Sequence, residues 1–212
     1  MADLIAASRA VESMWTEWRR LERPGLRRAQ EAVFPLWERT RQFRIYSPCL
    51  IPGPVQTGGY IRALLTGVRE RRPNRVDDID DAVQVRLSRQ HVTREGDHRF
   101  AILLEENTLR HRIGGWSILR EQLGHLLEAA NLPSVVLGII PFDADRSPLR
   151  PVEMFFLFDD AEVDVELVSG WLRVTQPTEV AMYTDVFARL ASMAVYGKEA
   201  RSLIKAAIDA TG

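Results

Sequence analysis

Cysteine is almost absent from this chain, because Cys49 is the only one among its 212 residues. No disulfide can form within the chain, and a reducing compartment such as the cytoplasm is the simplest expectation. Long apolar runs are also missing. The longest, residues 135–142, is interrupted by Gly138 and Pro141, falls short of the roughly 20 residues needed to cross a bilayer, and predicts a buried strand. The N-terminus lacks the basic-then-apolar layout of a signal peptide, so we expect a cytoplasmic protein that makes no membrane contact.

Lysine is scarce as well. Only Lys198 and Lys205 are lysines, and the other 26 of the 28 basic residues are arginines. Two interpretations stay open, because a GC-rich genome favours arginine codons and arginine is also suited to bidentate contacts with phosphate. The net charge of −1 lowers the expectation of nucleic-acid binding, which draws much of its affinity from clustered basic charge.

The sequence patterns that usually carry catalysis are missing. There is no Gly-x-Ser-x-Gly, Cys49 has no histidine or helix start near it in the sequence, and the four histidines do not fall at zinc-ligand spacing. Asp77, Asp78, Asp80 and Asp81 resemble a metal cluster, but acidic residues stabilise the first turn of a helix and calcium loops need glycine and alternating oxygen ligands. We therefore predict no catalytic residue, no metal site and no cofactor.

Periodicity predicts a mixed α/β (or α+β) fold with a central mixed sheet of about five strands flanked by helices. We interpret residues 1–212 as a single domain, with a helical front section over residues 1–68 and the sheet with its covering helices over residues 77–212. In the front section, helical spacing of apolar residues predicts a helix over residues 3–21. Further helices are predicted over residues 26–40 with a break near Pro35, 57–66, 77–90, 105–112, 116–130, 177–196 and 198–210, and strands over residues 43–46, 98–104, 135–140, 154–158, 163–167 and 171–174.

Acidic residues mark two features of the second half. Asp159 and Asp160 predict a turn between two strands. After them, valines alternate with Asp164 and Glu166, which predicts a half-buried strand with the carboxylates on its open face.

The Pro-Gly-Pro-Val-Gln-Thr segment at residues 52–57 is too rich in proline for regular structure. Gln56 and Thr57 are its polar members, and two interpretations stay open for them. In the first, they contact a ligand or a partner. In the second, Thr57 is a helix N-cap and Gln56 supplies hydrogen bonds to a backbone that lacks regular ones.

A Pro-Gly-x-x-Gln-Thr-x-x-Tyr-x-Arg-Ala string spans residues 52–63. With weaker motifs in order along about residues 15–208, it resembles the uncharacterised domain that follows a helix-turn-helix module in actinobacterial, antitoxin-like (WhiJ-like) regulators. Pro54 departs from the family pattern, which has two aliphatic residues between the glycine and the glutamine. The weaker motifs include Arg86 … Arg89-Gln90, Leu104-Glu105-Glu106 … Leu109-Arg110, Gln122-Leu123 and Gly138-Ile139-Ile140-Pro141.

The resemblance implies the regulatory domain of a transcription factor that works with a small partner protein, and it brings no catalytic residues. The helix-turn-helix module is not present in this chain, so DNA contact is expected only through a module outside it. We expect an effector or protein-interaction domain that binds a small partner protein, a small-molecule ligand, or both. The candidate contact residues are the polar members of the matched motifs: Gln56, Thr57, Tyr60, Arg62, Arg86, Arg89, Gln90, Glu106 and Arg110.

Alternatives to this expectation remain. Arg86, Arg89 or Arg110 could pair with Glu106 and hold helices on the sheet. A homodimer is expected if Trp15 and Trp18 supply an apolar face, although these rings could instead cover the core.

Two further functional classes also stay open. One is an enzyme acting on a small molecule or nucleotide near Glu105 and Glu106, which requires a pocket with converging polar groups and a perturbed carboxylate. The other is a stand-alone protein-binding module.

Overall fold

The computed structural model describes residues 14–71 and 76–211. These residues form a mixed sheet flanked by helices, which confirms the predicted fold class, and the sheet has eight strands where about five were expected. The strands are β1 (Trp15–Glu17), β2 (Gln42–Ser47), β3 (Arg99–Glu105), β4 (Val135–Ile140), β5 (Phe155–Phe158), β6 (Glu162–Glu166), β7 (Gly170–Val174) and β8 (Val195–Tyr196). Their order across the sheet is β1-β7-β6-β5-β2-β3-β4-β8.

Most helices after residue 25 lie where the sequence periodicity predicts them, but the helix predicted over residues 105–112 is only a short 3-10 turn. The helix predicted over residues 26–40 is interrupted just before Pro35, because proline suits the first turn of a new helix. Short 3-10 turns occur at Gly53–Val55, Arg89–Thr93 and Glu106–Arg110. In the described ranges, no helix is long and apolar enough to cross a membrane. The α-helices are α1 (Trp18–Leu21), α2 (Leu26–Glu31), α3 (Phe34–Arg39), α4 (Gly58–Arg71), α5 (Ile79–Ser88), α6 (Trp116–Ala129), α7 (Pro177–Ser192) and α8 (Gly197–Asp209).

The central strands β2, β3 and β4 run parallel, in register from Gln42 opposite Arg99 to Glu105 opposite Ile140. Parallel neighbours need crossover connections, and these contain α4 and α5 between β2 and β3, and α6 between β3 and β4. Most residues of these apolar strands are buried on both faces, as their composition predicts, but Val136 near the start of β4 is 58% exposed. Because the strands are parallel, their last residues meet at one sheet edge, which we call the carboxyl edge: Ser47, Glu105 and Ile140.

The other half of the sheet is antiparallel, and β2 joins the two halves by also pairing with β5. The β5–β6 hairpin turns at Asp159 and Asp160, whose φ angles of 51° and 55° are those of a tight hairpin turn that aspartate tolerates. This confirms the predicted turn. The Asp159 carboxylate also accepts hydrogen bonds from the backbone N–H groups of Arg41 (3.0 Å) and Gln42 (2.7 Å), so it ties the hairpin to the start of β2.

Two apolar cores lie on opposite faces of the sheet. One face packs against α4, α6 and α8 and contains Phe43 and Ile45 of β2. The other packs against α7 and the connection between β4 and β5 and contains Tyr46. The alternation along β2 therefore assigns neighbouring residues to different cores.

The predicted N-terminal helix is wrong where it can be compared with the structure. Residues 3–13 lie outside the described residues, and Trp15–Glu17 form the edge strand β1 on β7. A Cβ atom at Gly170 would lie 2.7 Å from the Thr16 carbonyl oxygen, so the glycine permits this close pairing. Trp18 then donates from Nε1 to the Leu167 carbonyl oxygen at 2.8 Å, so this ring fastens the chain to the β6–β7 hairpin.

Two predictions for the second half also need correction. The helix predicted to residue 196 ends at Ser192, and Val195–Tyr196 pair with β4. A Cβ atom at Gly138 would lie 2.6 Å from the Tyr196 ring, so the glycine makes room for this strand. The strand predicted to be half-buried instead buries Asp164, which is 3% exposed.

Candidate functional site

The nine candidate contact residues separate into three places. Six of them surround the segment over residues 51–57, Arg62 lies on the outer side of α4, and Glu106 and Arg110 follow β3 at the carboxyl edge. The six at the segment are Gln56, Thr57, Tyr60, Arg86, Arg89 and Gln90.

Three glutamine side chains supply the hydrogen bonds that the 51–57 backbone lacks. Gln56 donates from Nε2 to the Ile51 carbonyl oxygen (2.6 Å), and Gln90 donates to the carbonyl oxygens of Gly53 (2.8 Å) and Gln56 (2.9 Å). Gln122 of α6 donates to the Val55 carbonyl oxygen and accepts from the Thr57 N–H, both at 2.7 Å. A buried backbone must be paired, so these side chains build the segment.

Thr57 and Tyr60 also hold the segment in place. The Thr57 hydroxyl accepts from the Tyr60 N–H at 3.3 Å, as an N-cap of α4 should. The Tyr60 hydroxyl accepts from the Ile51 N–H at 3.2 Å and is buried. The structural interpretation of Gln56 and Thr57, left open by the sequence, is therefore what the geometry supports.

The two arginines nearby bind neutral partners. Arg86 donates to the side-chain oxygens of Gln30 (2.9 Å) and Gln56 (3.2 Å). Arg89 is buried, donates to the Gln30 carbonyl oxygen (3.1 Å) and stacks over Trp37 at 4.3 Å from the ring centroid. Burial lowers the pKa of Arg89 and the charge of Arg86 adds to the effect. Arginine remains charged at neutral pH in such sites. The buried Nε of Arg89 has no hydrogen-bond partner among the described residues.

The acidic residues at the start of α5 have structural partners. The Asp78 carboxylate accepts from the N–H groups of Leu26 (3.2 Å) and Arg27 (2.9 Å) and thereby caps α2. A Cβ atom at Gly25 would lie 2.4 Å from that carboxylate. The other three aspartates diverge to separate cations, in the ion pairs Asp77–Arg69, Asp80–Arg62 and Asp81–Arg27.

The loops that follow β2, β3 and β4 meet at the carboxyl edge. The Thr108 hydroxyl donates to the Ser47 carbonyl oxygen at 3.4 Å, and His111 Nδ1 lies 2.6 Å from the Cys49 carbonyl oxygen. These contacts fix the first two loops against each other. We call the outer side of this region, formed by Cys49, Arg110, His111 and Phe142, the carboxyl-edge surface.

Glu106 holds the third loop in place. Glu106 is 8% exposed, and its carboxylate accepts from the Phe142 N–H at 3.0 Å and lies 3.5 Å from Arg110 Nη2. The Arg110 guanidinium lies 5.9 Å from the Phe142 ring centroid. The expected pairing of Glu106 with an arginine is thus confirmed for Arg110 and wrong for Arg86 and Arg89, which lie around Gln30.

A second buried carboxylate lies beneath this surface. Glu105 accepts from the buried Tyr46 hydroxyl at 2.6 Å and forms an ion pair with Arg146 from the β4–β5 connection. Burial and the Glu105 charge raise the pKa of Tyr46 above its ordinary range, so this hydroxyl stays a donor. Sequence reasoning missed Arg146, because nothing in the pattern links it to a glutamate 41 residues earlier.

The exposed cysteine of the surface is not activated. The contact of His111 is with the Cys49 backbone, and partial burial followed by the charge of Glu166 raises the pKa of the Cys49 thiol. A thiol with a raised pKa is a poor nucleophile at neutral pH. The surface is therefore better suited to contact than to covalent chemistry.

A mixed sheet covered by helices defines the chain as a mixed α/β domain. The chain belongs to the family described as "Domain of unknown function (DUF5753)", whose profile matches residues 35–206. A comparison with curated protein sequences found no match.

Two solved structures are similar to the chain. One is TrmBL2, described as an archaeal chromatin protein with a novel mode of DNA binding (13% identity, TM-score 0.42, covering 82% of this chain and 51% of that chain). The other is Nuc, a phospholipase D family member from Salmonella typhimurium (9% identity, TM-score 0.41, covering 80% of this chain and 90% of that chain). The chain thus spans about half the length of the TrmBL2 structure, and likeness at these scores does not extend to function.

Proposed function

We propose that the chain is the effector or protein-interaction domain of a helix-turn-helix transcriptional regulator in the cytoplasm, and that it binds a small partner protein through the carboxyl-edge surface. The resemblance of its motifs to antitoxin-like regulators supports the regulatory role. The observation that carries the choice of surface is Phe142, which is 65% exposed and lies against Arg110.

The composition of this surface fits a protein partner. Aromatic residues and arginine are the commonest energetic centres of protein interfaces. A partner that covers the exposed Phe142 ring removes apolar area from water, and such burial contributes about 25 cal/mol per Å².

The surface is also pre-organised. The Glu106 carboxylate fixes the Phe142 backbone and the Arg110 side chain together, and Glu105 fixes the β4–β5 connection through Arg146. A contact held in place before binding loses less conformational entropy on association. DNA contact remains assigned to an attached helix-turn-helix module, and a small-molecule ligand or a homodimer through Trp15 and Trp18 remain secondary proposals.

Photo-crosslinking tests the proposed surface. A photoreactive amino acid at position 142 should crosslink one small, stoichiometric partner in the native host, whereas the same group at Met182 should not. Met182 is a matched control because it is 67% exposed but lies on α7. With the purified partner, Phe142→Ser should weaken binding about tenfold or more, and Met182→Ser should leave it unchanged. Equal crosslinking or equal affinities for the two positions would rule out this surface.

An enzyme remains the second candidate, because Glu105 and Glu106 are both buried at the carboxyl edge, where α/β domains place their ligands. Both carboxylates are already occupied, by Tyr46 and Arg146 and by Phe142 and Arg110. Turnover of a nucleotide or phosphoester that is lost in both Glu105→Gln and Glu106→Gln, with unchanged melting temperatures, would favour the enzyme over the interaction domain.

A further inference from the structure

A concave site lies on α8, away from the carboxyl-edge surface. We call it the basic pocket, and it is lined by Lys198, Arg201, Lys205 and Asn131 among others, with a volume of about 550 Å³. That volume falls within the roughly 300–1,000 Å³ of small-molecule sites. Asn131 belongs to the loop that leads into β4, so the pocket lies at the opposite end of that strand from Phe142.

The cations of the basic pocket are not neutralised within the described part of the chain. Lys198 and Lys205 have no ion pair there, and Arg201 binds the Asn131 side-chain oxygen (2.6 Å) and the Leu127 carbonyl oxygen (3.4 Å). Asp209 is four residues beyond Lys205, yet no ion pair joins them. Three positive charges at positions i, i+3 and i+7 share one helix face. Positive charge is therefore concentrated at the pocket, and Glu199 of the first turn is not among its lining residues.

The choice of residue type adds to this observation. Lys198 and Lys205 are the only lysines in a chain with 26 arginines, and both line this one pocket. The two exceptions to the arginine-rich composition therefore lie seven residues apart and line the same pocket. The compact ammonium group binds phosphate as a point charge.

The N-terminus of α8 also favours an anion in the basic pocket. Gly197 lines the pocket and opens the helix, and no side chain caps its first turn. Uncapped N–H groups and the helix dipole favour an anion there. The helix start thus supplements a site already defined by the cavity and its three cations.

We propose that the basic pocket binds a small phosphate-bearing molecule, with the phosphate held by Lys198, Arg201 and Lys205. The volume of the pocket suits a small molecule, and the experiments below compare it with a nucleic-acid backbone and an acidic peptide. This inference goes beyond the proposed function and does not depend on it, because the two sites lie at opposite ends of β4.

Amine-selective acetylation measures the accessibility of this pocket directly, because its two lysines are the only lysines in the chain. Inorganic pyrophosphate should slow acetylation of Lys198 and Lys205, measured by mass spectrometry against the α-amino group of Met1 as the internal reference. Sodium chloride at equal ionic strength should not. Equal protection by chloride, or no protection, would refute the site.

Three double variants test the chemistry of binding by calorimetry with pyrophosphate and a nucleoside diphosphate. K198Q/K205Q should bind about tenfold more weakly or worse. K198R/K205R keeps the charges but replaces the compact ammonium groups, so its affinity should lie between those of K198Q/K205Q and the wild type. R94Q/R150Q removes the same charge from two exposed positions elsewhere and should bind as the wild type does. Equal affinity of all variants, or tighter binding of duplex DNA or an acidic peptide than of the phosphates, would overturn the proposal. Melting curves exclude misfolding.

Discussion

The 51–57 segment and the carboxyl-edge surface follow strands of the same sheet edge, yet they use polar residues differently. In the segment, the side chains of Gln56, Gln90 and Gln122 point at backbone groups and are largely covered. At the carboxyl-edge surface, Glu106 uses its carboxylate to hold Arg110 and Phe142, which remain exposed. The 51–57 segment pairs its polar groups with its own backbone, whereas the carboxyl-edge surface keeps the Arg110 and Phe142 side chains exposed.

This difference shows what an irregular backbone demands. The proline-rich chain from Ile51 to Thr57 cannot use a helix or a ladder for its carbonyl groups, and burial makes each unpaired group costly. A specific-looking polar motif there serves the fold first. The polar residues after β3 follow a regular strand whose own bonds are complete, so part of their capacity remains for a partner.

The largest effect is expected from Gln122→Leu. It preserves the size of a buried side chain but leaves the Val55 carbonyl and the Thr57 N–H without partners. At about 1–3 kcal/mol for each buried group, the free energy of unfolding should fall by about 2–5 kcal/mol in urea denaturation. The exposed Gln84→Leu is the matched control and should change it by less than about 0.5 kcal/mol. A loss below about 1 kcal/mol for Gln122→Leu would mean that the segment does not need its glutamine.

Asp164 supplies a buried carboxylate that, unlike Glu105, is incompletely paired. Its Oδ1 lies 3.3 Å from Arg173 Nε, and its Oδ2 makes no hydrogen bond of ordinary geometry among the described residues. Burial raises its pKa to about 6, although Trp171 and Arg173 act to lower that pKa. The folded state therefore holds this proton more tightly than the unfolded chain, so stability should fall as the pH rises from about 4 to about 6, by up to about 3 kcal/mol.

Asp164→Asn should remove that loss, measured as the free energy of urea unfolding at several pH values. Asp185→Asn, at an exposed position, should leave the slope unchanged. An unchanged slope in Asp164→Asn would show that the carboxylate is satisfied as fully as Glu105.

The smallest effect is expected at Arg62, the one candidate contact residue of the segment motif that faces away from it. Its ion pair with Asp80 is exposed on both sides, and such pairs contribute about 0–1 kcal/mol. In a double-mutant cycle of Arg62→Ala with Asp80→Ala, the coupling energy should stay below about 1 kcal/mol. A coupling above about 2 kcal/mol would place Arg62 in the structural network with Gln56.

Sequence periodicity located the elements that are long enough to show it. The strand at residues 135–140 occurs as predicted, and the helix predicted over residues 116–130 ends one residue earlier, at Ala129. Both were found because an apolar strand and an amphipathic helix each repeat over several residues. The edge strands β1 and β8 have three and two residues, which is too few for a period. They exist because Gly170 and Gly138 let the chain approach closely, and no local pattern encodes that approach.

The candidate site divides in the same way. The resemblance singled out Glu106 and Arg110, and the fold brings them together. Phe142, Tyr46 and Arg146 were missed, because their roles arise only when the ends of β2, β3 and β4 meet.

By itself, the sequence determined the mixed α/β class, the family and the hairpin turn at Asp159, since these depend on local periods, short motifs and the backbone preferences of single residues. Only the tertiary structure decided which polar residues form hydrogen bonds within the fold and which remain exposed. Hydrogen bonding in a folded chain is a matter of distance, and Gln122 reaches Val55 across 67 positions of sequence. A residue's type states what it can bind, and its surroundings decide whether that capacity is already used.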